Sequence, residues 1–174
     1  MCALFGSARD VSMFRYVNRE LMGNIITQEC VFYKCNVINT TINMYGEASN
    51  GRYYEEPVLF NVLIEVGDQT APTANDMVGF EWPVTFRFLR DDLVDANVVP
   101  AIGDIIMWQN AYWEIDNELM TQFFVGKDPD YPYTDANGVN PLNPGLQNFG
   151  YNVAVICTAH YVPGDRLGIQ PYRL

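Results

Sequence analysis

Cations are scarce in this chain. Ten Lys and Arg stand against 21 Asp and Glu, a formal net charge of −11, which argues against a basic groove that grips nucleic acid by neutralising phosphates. No apolar run approaches the ~20 residues of a membrane span, and the N-terminus lacks a basic region followed by an apolar signal core. A soluble protein made in a cytoplasm is therefore expected. Histidine occurs once, at His160, so neither a zinc site nor a nucleophile triad can be built on familiar lines. Phosphate-cradling glycine loops, nucleophile elbows and paired-histidine motifs are also missing. Four cysteines, Cys2, Cys30, Cys35 and Cys157, show neither the paired spacing of a metal site nor the density of a disulfide scaffold. They read as reduced thiols. Cys30 and Cys35, five apart on one strand, would face opposite sides of it.

What is abundant is core-forming matter. Apolar residues make up 49% of the 174 positions and aromatics 14%, with only 18% charged, a balance suited to one packed domain over residues 1–174. A domain of this size folds without staples.

Met13, Phe14, Val17, Leu21 and Ile25 recur at spacings of three and four, so a short amphipathic helix follows an N-terminal arm assigned to residues 1–17. From Val31 the chain reads as β. Val31–Val37 is rich in β-branched and aromatic residues. Val58–Val66 places Phe60, Val62, Ile64 and Val66 on one face, and Pro83–Arg90 sets Val84, Phe86 and Phe88 opposite Thr85 and Arg87. Asp104–Trp108 and Tyr112–Asp116 flank a short polar turn at Gln109, Asn110 and Ala111, which predicts a hairpin with a tryptophan on each arm. Its core residues would be Asp104, Ile106, Trp108, Trp113 and Ile115. A last strand spans Tyr151–Tyr161, with Val153, Val155 and Cys157 on one face, and Pro163-Gly164 ends it. The segments Asn39–Pro57 and Lys127–Gly150 lack periodicity and read as long loops. The fold expected is mainly β, a small antiparallel β-barrel or sandwich with one short N-terminal α-helix, because an open sheet would leave its edges unpaired.

Acidic clusters at Asp91, Asp92 and Asp95, and at Asp128, Asp130 and Asp135, do not follow the alternation of a calcium loop and read as solvated turns. Glu55, Glu56, Glu114 and Asp116 could serve glycoside chemistry only if folded opposite one another. The aromatics suit core and interface better than base stacking, since no basic track accompanies them.

Taken in order, Val31-Phe-Tyr-Lys-Cys-Asn-Val37, Met44-Tyr-Gly-Glu47, Pro83-Val-Thr-Phe-Arg-Phe88, Pro100-Ala-Ile-Gly-Asp-Ile-Ile106, Tyr112-Trp-Glu-Ile-Asp116 and Phe123-Phe-Val-Gly-Lys127 resemble the neck proteins of T-even-type contractile-tailed phages. The similarity covers roughly residues 18–127. It implies a structural virion protein that needs no cofactor or metal and closes with copies of itself into a ring, six-fold by analogy. Such a ring sits below the portal and its adaptor, above the tail terminator, and helps retain packaged double-stranded DNA. A tail-terminator or baseplate-type ring protein of the same particle is the alternative, and a carbohydrate-binding or lytic module a third. Phe124, Tyr131, Tyr133, Val139 and Leu142 are the expected subunit-interface residues, the last four on an arm at 127–150 with four prolines and more apolar matter than a free linker. With no basic stripe, transient contact with duplex DNA is expected.

Overall fold

The computed structural model describes residues 8–40, 52–68, 82–121, 153–164, 167 and 169, without the side chains of 8–12 and 118–121. Helix α1 runs over Ala8–Glu20 and passes into a π-helical segment, Leu21–Ile26. That segment closes where Thr27 adopts a left-handed conformation and donates its N–H to the Met22 carbonyl at 3.0 Å. The strands are β1 (Glu29–Tyr33), β2 (Val58–Val66), β3 (Pro83–Leu89), β4 (Ile105–Trp108), β5 (Ala111–Thr121) and β6 (Ala154–Val162), and α2 (Arg90–Asp95) follows β3.

The six strands form a closed antiparallel barrel in the order β1-β2-β3-β6-β5-β4. Closure comes from β1 meeting β4, with Phe32 opposite Ile106. Every strand thus has a hydrogen-bonded neighbour on both sides. Beyond Asp116, β5 pairs with β6 alone among the described residues.

Alternation along the strands fills the interior. Cys30 and Phe32, Phe60 and Val62, Val84, Phe86 and Phe88, Ile106, Trp113 and Ile115, and Val155, Cys157 and Ala159 make one cluster, plugged at the end where β3 finishes by Leu93 of α2. Phe32, Phe60 and Phe88 meet edge to face, with ring centroids 5.7–6.0 Å apart, an arrangement the ring quadrupoles favour. Trp113 is fully buried, with Trp82, Trp108 and Tyr161 around it at centroid distances of 4.8, 6.3 and 5.9 Å. β2 climbs out of this core, so Ile64 is partly buried and Val66 exposed.

The opposite faces of β1 and β4 are buried too. Val31, Tyr33, Ile105 and Met107 join Tyr112, Val162 and Leu167 in a second cluster, with Tyr54 and Ile169 packed against it. Residues following β6 therefore cover part of the barrel wall, and β1 and β4 read as continuous apolar runs for that reason.

Several boundaries differ from the sequence reading. β1 stops at Tyr33, and Cys35 makes an isolated bridge with Tyr54. Cys30 is inside the barrel, and among the described residues Cys30, Cys35 and Cys157 form no disulfide. The hairpin turn has two residues, Gln109 and Asn110, both at positive φ, the geometry whose twist matches the flanking strands. Ala111 already belongs to β5. A bulge between Ile115 and Asn117 sets Asp116 out of register, where its carboxylate meets His160 Nδ1 at 2.7 Å. Of the N-terminal arm, residues 8–17 are helical backbone. Met44–Glu47 and the 127–150 arm lie outside the described residues.

Truncating the indole at the centre of the larger cluster removes buried area and leaves a cavity, so Trp113→Ala should cost about 3–5 kcal/mol. Urea denaturation measures this. A parent-like midpoint would mean that the indole does not hold the core together.

Candidate functional site

Two arrangements organise the exterior at the barrel end that carries α2. The first is centred on Asp104, whose carboxylate is 1% exposed. It accepts from Lys34 Nζ at 2.8 Å, from the Cys35 N–H at 2.8 Å and from the Ala101 N–H at 2.7 Å. Lys34 also donates to the Val99 carbonyl at 2.7 Å. One side chain thereby ties the stretch after β1 to the connection between α2 and β4. Gly103 makes this possible with a φ of +91°, a conformation that favours glycine, and its N–H reaches the Ile115 carbonyl at 3.0 Å. Burial pushes the Asp104 carboxyl up from its ordinary value, while Lys34 and the two backbone donors pull it down. Beside this knot Val37, Ile38 and Ile102 stand exposed, Ile38 at 94%.

The second arrangement is the docking of α1. Arg15 forms a bidentate pair with Asp91, with Nε 2.9 Å from Oδ2. Arg19 reaches Asp95 at 2.6 Å and Asp92 at 3.3 Å. Three carboxylates crowded on six residues of α2 repel one another, and burial pushes Asp92 up from its usual range although Arg19 opposes that. Two guanidiniums relieve the repulsion. Sequence reading placed Asp91, Asp92 and Asp95 on a solvated turn. They lie instead on a helix, Asp91 and Asp92 in the first turn, where acids are favoured, and Asp95 as its last residue, and together they anchor α1.

This anchoring inverts the helix. Arg15, Asn18, Met22 and Ile26 are the positions turned toward the domain, whereas Met13, Tyr16, Val17, Leu21 and Ile25 are exposed, Tyr16 at 71% and Ile25 at 72%. The periodicity that marks an apolar stripe is there, but the stripe faces outward. The physical reason is that Leu93 already plugs the barrel at this end, so no apolar opening is left for α1, while the acids of α2 draw in its arginines.

The remaining candidates fall as follows. Ile106, Trp113 and Ile115 are fully buried, Trp108 is partly buried against them, and Asp104 holds the knot. Phe124, Tyr131, Tyr133, Val139 and Leu142 lie outside the described residues, as do Asp128, Asp130 and Asp135. Glu114 pairs with Arg52 and Asp116 with His160. Glu55 accepts from Asn36 Nδ2 at 2.9 Å. Among the described residues no group of three His, Cys, Asp or Glu could hold a metal ion. No described helix is long and apolar enough to cross a membrane. Sequence reasoning missed the anchoring role of Arg15 and Arg19. Their i, i+4 spacing, matched by Asp91 and Asp95, was the signal available. No protein-family model and no curated protein matches the chain.

The knot gives a direct expectation for stability. Asp104→Ala strands two backbone donors and should cost about 2–4 kcal/mol by urea denaturation. Asp104→Asn, which keeps an acceptor and avoids burying a charge, should cost less. Equal losses for the two variants would show that the charge and not the hydrogen bonds holds the loops.

Proposed function

We propose that this chain is a structural subunit of a phage neck, closing with its own copies into a ring that joins the portal and adaptor to the tail. The observation that carries the reading is the inverted helix: a rigid closed barrel holds an apolar stripe outward, which is how a protein presents a contact surface. A module built for catalysis would bring polar groups together in a cleft. Among the described residues, Arg15, Arg19 and Lys34 pair with acids that place α1 and the loop before β4. The sequence resemblance is what points to the neck as the location, and the closed six-stranded barrel is compatible with a subunit of a ring.

Ring closure needs heterologous contacts, in which one patch meets a different patch on the next copy. Packaged DNA passes the lumen without tight binding, as the excess of acids suggests. No catalytic step is part of the proposal.

Electron microscopy of the intact particle tests the location. A ring of six-stranded barrels between portal and tail is expected. Density for this chain below the tail terminator or in a baseplate would move it to another ring of the particle, and absence from the particle would overturn the assignment.

A further inference from the structure

We infer that the outward stripe of α1 and the π-helical segment, Met13, Tyr16, Val17, Leu21 and Ile25, is a self-association surface whose occupant is a second copy of this chain. The inference deepens the ring reading by naming its contact. Taking roughly 200 Å² for a large side chain, the exposed fractions of these five present on the order of 500–600 Å². Leu59, which shares a groove with Arg19 and Gly23, is exposed beside them. That total approaches the ~800 Å² each partner contributes to a standard interface. It is also at the upper end of what a soluble monomer leaves uncovered.

Charge favours a second copy as the occupant. Two chains at −11 each repel wherever acids face acids. Arg15 and Arg19 are committed to the acids of α2, and the stripe itself is neutral save for Glu20. A neutral apolar strip is the part of such a surface where two copies meet with least repulsion. The chain also carries a second apolar set, Val37, Ile38 and Ile102, so it holds two different patches of the kind that heterologous contact requires. The helix is pre-set for docking. Ion pairs at Arg15 and Arg19 and the buried Met22 fix it to the barrel, so little conformational entropy remains to be lost on association.

The test is sedimentation equilibrium of the full chain with Val17→Glu and Ile25→Glu, and with Gln109→Glu as a matched-charge control on the β4–β5 turn at the other end of the barrel. A glutamate driven into an apolar contact should weaken association roughly tenfold or more. Parent and control should self-associate, whereas the helix variants dissociate yet melt like the parent. If a glutamate lowers the melting temperature, Val17→Ser and Ile25→Ser provide the same comparison without added charge. Helix variants that associate like the control would overturn the stripe and leave the ring reading standing. A parent chain that sediments as a monomer would also overturn the stripe as a self-contact, with the ring then resting on the particle image alone.

Discussion

Closure of the barrel is the constraint on which the rest depends. Once β1 meets β4, the described strands pair on both sides along most of their length, apart from β5 past Asp116 and β2 past Val62, which have one neighbour each. Among the described residues, joining copies by strand addition, which needs a free edge, is confined to those two overhangs. Elsewhere on the barrel, contacts with other molecules fall to side chains on its outside, and the chain prepares that outside in two ways. It covers one wall with residues that follow β6, and it hangs a helix on the acids of α2.

Closure also explains why α1 is turned over. In most small domains an amphipathic helix buries its apolar stripe in the core. Here the core is complete without it, because Phe32, Phe60, Phe88 and Trp113 fill the interior and Leu93 seals one end. The helix is left to dock by charge. Surface ion pairs contribute only about 0.2–1 kcal/mol each, so the α1–α2 contact is chiefly an orienting device. Arg15 and Arg19 decide which way the helix faces, and the direction they choose exposes hydrocarbon.

The strands were legible in the sequence, since period two is a local property: Phe60 with Val62, Phe86 with Phe88, Ile106 with Trp113 and Ile115 all lie where alternation puts them. A mainly β barrel or sandwich with one N-terminal helix follows from that pattern, and the meeting of β1 with β4 makes it a barrel. The pairing of β1 with β4 and of β3 with β6 was not legible, because it depends on contacts between residues ~70 apart in sequence. Helix α2 escaped notice because Arg90-Asp-Asp-Leu-Val-Asp95 is too short for a periodic signal, and its acids read as a turn. The stripe itself was plain from Met13, Val17, Leu21 and Ile25, but which side of a helix meets the domain is set by partners far away in sequence. Expectations centred on 127–150 lie outside the described residues, and the surface that emerged belongs to the other end of the chain.

The claim that the helix keeps its apolar side outward until a copy covers it can be read from individual side chains. Hydroxyl-radical footprinting of free and assembled protein compares Met13 and Tyr16 on the stripe with Met22, which is buried against the barrel. The account predicts fast oxidation of Met13 and Tyr16 in the free chain, strong protection on assembly, and a slow, unchanged rate for Met22. Equal oxidation of Met13 and Tyr16 in the two states would contradict it.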